Sequence, residues 1–252
     1  MRIHQVHSLF QQRLAKATKP FNARGAKVVR CQYCQVATLH CICEHQPKVA
    51  TKVAALIIMS DNEILKPSNT GRLIADTVEE TYAFQWTRTE PDEALIRLLE
   101  DDQYQPVVIF PEDYVDEKSR LIDIEDPSVH HFHSDKTPLL IFLDGSWREA
   151  RKMFRKSEYL SRLPVLSIRP ETVSSYMMRK SDNETHLATA EVASMVLALF
   201  NEKQASETLS LWFDVFKESY LLSKTRIKPD LSKPMLTKYL ECTANIEHRV
   251  AS

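Results

Sequence analysis

The run from Pro138 to Ser157, PLLIFLDGSWREARKMFRKS, constrains this chain more than any other stretch. Leu139 to Leu143 is an apolar run short enough for a buried strand. Asp144-Gly145-Ser146 stops it. An acid, a glycine and a hydroxyl residue between a strand and a helix predict a tight βα turn with a helix cap. In the helix that follows, Arg148, Arg151, Lys152, Arg155 and Lys156 fall within an arc of roughly 140°. Trp147, Ala150, Met153 and Phe154 fill the opposite side. One apolar face must therefore pack on a sheet. A basic face looks outward beside an acid at a strand's C-terminal end, where open α/β sheets bind ligands. A charged helix face is ordinarily just solvated. This one is of a single sign apart from Glu149, and the turn before it holds Gly145, one of only three glycines in the chain with Gly25 and Gly71. A residue used so sparingly marks a positive φ or a close backbone approach.

Charge is unevenly placed. Residues 1 to 43 hold seven of the 33 basic residues (Arg2, Arg13, Lys16, Lys19, Arg24, Lys27 and Arg30) and none of the 34 acidic ones. A basic arm on an acidic body points to a polyanionic partner, nucleic acid first. Within the arm, Ser8 to Lys19 is expected to be a basic helix ended by Pro20. Next comes Cys31-x2-Cys34-x6-Cys41-x-Cys43, four of the five cysteines. The N-terminus lacks a signal-type apolar segment, no run reaches the ~20 apolar residues of a membrane span, and a cytoplasmic location is expected. Thiols so dense in that compartment argue for metal rather than disulfides. A Cys-x-x-Cys knuckle and a Cys-x-Cys pair can close a structural zinc site with no open position. Replacement of one thiolate by His40 or His45 stays open, as does a redox pair or an iron–sulfur site. Cys242 stands apart.

The remainder reads as strands alternating with helices: strands at Val53–Met59, Tyr82–Trp86, Val107–Phe110 and Val165–Ile168, and helices at Arg72–Glu80, Pro91–Glu100, from Thr189, and Leu209–Leu222. That order predicts an α/β fold with a mainly parallel sheet flanked by helices. Two units are expected, a basic arm with a zinc-knuckle module over 1–50 and an α/β body over 51–252. Residues 112–126 look like a solvated acidic connection, Arg169 to Asn183 like a polar loop, and 227–252 give little signal. His130, His131 and His133 are given no metal. Pro67-Ser68-Asn69-Thr70-Gly71 is a loop entering a helix, able to present backbone N–H groups to an anion. There is no G-x-G-x-x-G, P-loop, HExxH or GxSxG.

Four pieces in order (the cysteine cluster, Ser68-Asn69-Thr70-Gly71-Arg72, Asp144-Gly145-Ser146-Trp147 and Thr189-Ala190-Glu191) resemble the DTW-domain proteins, the bacterial tRNA-uridine aminocarboxypropyltransferases. Ser146 stands where threonine is usual and keeps the hydroxyl. The resemblance implies a SPOUT-like, knotted fold. It implies transfer of the 3-amino-3-carboxypropyl group of S-adenosylmethionine to N3 of a uridine in the tRNA variable loop. On that basis Asp144, Ser146 and Trp147 are the catalytic candidates, with Asp144 the base for a weakly acidic N3–H or, alternatively, the group that orients the uracil or holds the donor's ammonium. Asn69, Thr70, Gly71, Arg72, Gly145, Thr189, Ala190 and Glu191 would line the donor pocket, with Arg72 meeting the donor carboxylate. Trp147 would stack on a base or pack in the core. Arg24, Lys27, Arg30 and the α-helical cluster Arg148, Arg151, Lys152, Arg155 and Lys156 would hold tRNA phosphates. The competing readings are a SPOUT-type methyltransferase and a zinc-containing RNA-binding module without catalysis.

Overall fold

The computed structural model describes residues 1–18, 28–122, 135–168, 187–223 and 230–250, with 245–250 as backbone only. Helix α1 (Gln5–Ala15) precedes the cysteine segment. The body follows as β1 (Ala54–Met59), α2 (Asp61–Ile64), α3 (Gly71–Thr77), β2 (Thr81–Gln85), α4 (Glu93–Leu99), β3 (Tyr104–Ile109), β4 (Leu121–Ile122) and β5 (Thr137–Asp144). It ends with α5 (Trp147–Lys156), β6 (Val165–Leu166), α6 (Thr189–Leu199), α7 (Lys203–Leu221) and α8 (Pro234–Val250).

The strands form one sheet in the order β2-β1-β5-β3-β6-β4, and every pairing is parallel. β1 and β5 lie inside it, with Ala54 opposite Leu139 and Met59 opposite Asp144. All six residues of β1 are buried, the uniform apolar run expected of a parallel strand covered on both faces. Alternation then sorts the side chains. Ala55, Ile57, Met59, Leu140 and Phe142 face a core shared with α3, α6 and α7, whereas Ala54, Leu56, Ile58, Leu139, Ile141 and Leu143 face a core closed by α4 and α5.

The first of these cores also takes in Val6, Leu9, Cys34, Val36 and Ile42, so the arm and the cysteine segment are packed into the body. One carboxylate ties them down. Asp76, in the last turn of α3, accepts from Gln46 Nε2 at 2.7 Å and from Trp212 Nε1 at 3.0 Å, and pairs with His4 Nε2 at 3.1 Å. These hydrogen-bonding partners outweigh its burial and hold its carboxyl at about 2. His4 also stacks on His7, ring centroids 3.6 Å apart. Burial, and after it His4, pushes His7 down to about 3, which keeps it neutral. His4, His7 and Asp76 are metal-ligand types brought together. The stacked rings and the two N–H donors already on Asp76 close the group as a hydrogen-bonded staple.

Several boundaries differ from the expected ones for identifiable reasons. α1 begins at Gln5 rather than Ser8, because His4 and His7 cap it without any of the usual short polar residues. β3 begins at Tyr104 and runs through Pro106, a residue that argues against a strand interior. β4 lies inside the acidic stretch 112–126, where a two-residue strand leaves no periodic signal. α8 occupies the region that gave little signal. Pro234 is its first residue, and Glu218 of α7 accepts the free N–H groups of Met235 and Leu236. His130, His131, His133 and the loop from Arg169 to Asn183 lie outside the described residues.

Asp76→Ala should lower unfolding stability by about 3 kcal/mol in denaturant titration, since it strands His4, Gln46 and Trp212 in the interior. In the wild type this contribution is present above the unfolded pKa near 4 and disappears as pH falls toward 2, because the folded carboxyl is the stronger acid. A loss under 1 kcal/mol at pH 7 would show that Asp76 is not the tie.

Candidate active site

Asp144 ends β5 at the C-terminal edge of the sheet and is 2% exposed. Its main-chain oxygen accepts from Ser60 N at 2.9 Å, which fixes the exit of β1 beside it. Its carboxylate accepts from Asn69 Nδ2 at 2.5 Å on one oxygen and from Thr189 Oγ1 at 2.6 Å on the other. Three of the segments singled out in the sequence thus converge on one buried acid. Neither donor is charged, so burial dominates and pushes the Asp144 carboxyl up to about 6, with the charge of Glu63 adding to the rise. An acid poised there is ionised at neutral pH and still basic enough to accept a proton.

The glycines explain how close the segments come. A Cβ on Gly71 would stand 2.7 Å from Asp144 Oδ2. One on Gly145 would stand 3.1 Å from both Ser60 Oγ and Glu149 Cβ. Neither position has a positive φ; close approach excludes a side chain at Gly71, while one at Gly145 would require its neighbours to give by a few tenths of an ångström. Asn69 is itself held, because its Oδ1 accepts the backbone N–H of Arg72 at 3.1 Å in the first turn of α3.

The remaining expected residues take quieter places. Ser146 caps α5: its hydroxyl donates to Glu149 Oε2 at 2.6 Å and its N–H to the same oxygen at 2.9 Å. Trp147 stacks against Phe110 at 5.6 Å between ring centroids and meets Tyr114 edge-on at 5.3 Å, packing of the kind that holds α5 to the sheet. Glu191 accepts the N–H of Ala188 at 2.8 Å, Ala190 is buried in the core, and Thr70 is half-buried before α3. Arg72 departs from expectation. Its guanidinium is buried and donates to the carbonyl of Cys34 at 2.8 Å, pointing into the cysteine segment rather than to a donor carboxylate. Burial lowers its pKa, opposed first by Asp76.

On α5, Arg148, Lys152, Arg155 and Lys156 are exposed and Arg151 is half-buried over the rings of Tyr114 and Trp147. The expected basic face is therefore in place, starting four residues beyond Asp144. Arg30 donates to the carbonyl of Gln35 at 3.0 Å and lies over Tyr220. Arg24 and Lys27 lie outside the described residues.

The four cysteines come together as expected. Cys31 Sγ is 3.6 Å from Cys43 Sγ, Cys34 Sγ is 3.8 Å from Cys41 Sγ, and all four sulfurs lie within 4.8 Å of one another. A tetrahedral metal with bonds of about 2.3 Å has sulfur–sulfur edges of about 3.8 Å, so the set fits a four-thiolate centre. Gln35 follows the knuckle at φ 60, a left-handed residue that lets the amide of Cys31 bond the carbonyl of Val36. The Cys43 thiol and the amides of Ile42 and Val36 pull Cys34 down to about 5. His40 and His45 are outside this set.

Glu63 and Lys66 were missed from the sequence. They follow the C-terminal end of β1, the strand beside β5, and that position was the available signal. The family described as DTW domain matches residues 28–221, most of the chain, and the chain belongs to that family. Membership points to a tRNA-modifying enzyme. No solved structure matches the chain.

Two outcomes test the site's physics. Asp144 holds its proton more tightly folded than unfolded, so it favours the fold below about pH 4 and loses that contribution as pH rises through about 6. Asp144→Asn should therefore gain about 3 kcal/mol in unfolding stability at pH 8 and almost nothing at pH 4; destabilisation at pH 8 would contradict the assigned pKa. Stripping metal with a strong chelator should lower the melting temperature and release about one equivalent of metal per chain. An unchanged melt would show that the thiols stand without metal.

Proposed function

We propose that the chain transfers the 3-amino-3-carboxypropyl group of S-adenosylmethionine to N3 of a uridine in the tRNA variable loop, releasing methylthioadenosine. The supporting family is that of the tRNA-uridine aminocarboxypropyltransferases. The observation that carries the reading is the buried Asp144 carboxylate, gripped by Asn69 and Thr189 in a way that suits a base. Two neutral donors fix its direction without removing its basicity, whereas an arginine partner would have lowered its pKa and weakened it.

In this mechanism Asp144 takes the N3 proton as N3 bonds to the propyl carbon attached to sulfur. That carbon's bond to sulfur breaks, the electron pair stays on sulfur, and the sulfonium leaves as a neutral thioether. Burial serves the step, since a carboxylate stripped of water needs no desolvation when the uracil arrives. Asn69 and Thr189 are positioning residues, and the missing Cβ of Gly71 leaves room for the Asp144 carboxylate. Trp147 supports α5 rather than the reacting atoms. The exposed cations of α5 offer the tRNA backbone a surface beside the base.

The four cysteines hold zinc in this reading and stabilise the fold, since four thiolates leave no position for substrate. A SPOUT-like knotted path belongs to the same proposal, supported by the all-parallel sheet in which β5 enters between β1 and β3. So does a cytoplasmic location, where tRNA is modified. Among the described residues no helix is long and apolar enough to cross a membrane.

The test is transfer with two labels. Carboxyl-labelled and methyl-labelled S-adenosylmethionine are incubated with unmodified tRNA and the full chain. Carboxyl label should reach the tRNA with methylthioadenosine released, and kcat/KM should fall about tenfold per pH unit below about 6. Asp144→Asn should lose transfer by at least about a hundredfold while still binding tRNA. Methyl label alone would make the chain a methyltransferase, and neither label with tRNA bound would make it a binding module.

A further inference from the structure

Glu63 and Lys66 form an oppositely charged pair linked to Asp144 through Asn69, and nothing in the mechanism above uses them. Lys66 Nζ lies 2.5 Å from Glu63 Oε2. The Glu63 side chain is 13% exposed and that of Lys66 38%, so the acid lies inside and the cation reaches out. Asn69 joins this pair to the base. Its Nδ2 group donates to Asp144 at 2.5 Å and to Glu63 Oε1 at 3.4 Å, one amide shared between two carboxylates. The groups run in a row from Lys66 through Glu63 and Asn69 to Asp144 and Thr189. Lys66 and Glu63 satisfy each other, so a ligand that displaces their contact must answer a cation and an anion side by side.

We propose that Lys66 and Glu63 bind the zwitterionic amino-acid end of the donor, and that this anchoring decides which carbon of the sulfonium faces Asp144. The proposal rests on the transfer reading above. The α-carboxylate pairs with Lys66 and the α-ammonium with Glu63, so the pair opens into two charge-assisted contacts without stranding either partner. The carbon that is attacked lies between sulfur and the amino-acid head. Anchoring the head one amide away from Asp144 brings that carbon to the nucleophile. The methyl group, a separate substituent of the same sulfur, is not held there. Regiochemistry is thus set by where the unreacting end is held, a use of remote binding energy to orient the reacting centre.

Calorimetry on the full chain tests this with three probes: S-adenosylmethionine, its decarboxylated form, which keeps the ammonium, and methylthioadenosine, which lacks the whole head. The wild type should bind S-adenosylmethionine more tightly than methylthioadenosine. Lys66→Met should weaken S-adenosylmethionine about tenfold or more and leave the other two unchanged. Glu63→Gln should weaken both ammonium-bearing probes and leave methylthioadenosine unchanged. Lys66→Met removes a half-exposed cation, and equal melting temperatures with the wild type show that its fold is intact. Variants that bind S-adenosylmethionine as the wild type does overturn the clamp while the transfer reading stands. A wild type that binds none of the three probes overturns the transfer reading and the clamp with it.

Discussion

The site depends on a negative charge kept away from water. A carboxylate in the interior is costly unless its oxygens are hydrogen-bonded. Asp144 meets that condition with an amide and a hydroxyl drawn from segments 75 and 45 residues away. Each of these in turn needs its own support. Asn69 is steadied by the first turn of α3, Thr189 opens α6, and β5 must sit between β1 and β3 for both to reach it. The parallel sheet is what makes the meeting possible, because it delivers the ends of β1 and β5 and the starts of the following helices to one edge.

A second buried acid works in the opposite sense. Asp76 is held at low pKa by a ring and two N–H donors and is fully ionised at neutral pH, so it adds stability where Asp144 costs it. Both acids belong to or touch α3, a helix of seven residues, all of them buried. The same helix sends Arg72 to the carbonyl of Cys34. The four-cysteine segment, helix α1 and the Asp144 edge of the sheet therefore share one short element. A shift of α3 would be felt at all three.

Much of this was legible in the amino-acid sequence, and the limits have physical causes. The buried strands announced themselves as apolar runs, and the α5 face as a one-sided row of cations, because both signals repeat locally. The cysteine spacing carried its own geometry. Asp144, Asn69 and Thr189 each stood out in separate segments, but no local pattern encodes contacts over such separations. Arg72 was misread because its charge suggests a ligand, while its neighbours Leu73 and Ile74 mark the surrounding helix as interior. Glu63 and Lys66 were passed over because a salt-bridged pair three residues apart looks like ordinary surface decoration. β4 is too short to have a period, and α8 is started by a carboxylate from another helix.

Gly71 has a consequence for anyone who would redesign this protein. A glycine in a helix is the first position that propensity-guided stabilisation would change, since alanine there is ordinarily worth about 1 kcal/mol. Here the added methyl would occupy the space that the Asp144 carboxylate fills. The same substitution that looks safest on paper would push the Asp144 carboxylate out of its seat. The missing Cβ of Gly71 is what gives the buried carboxylate its room, and a choice made on helix propensity alone would overlook that.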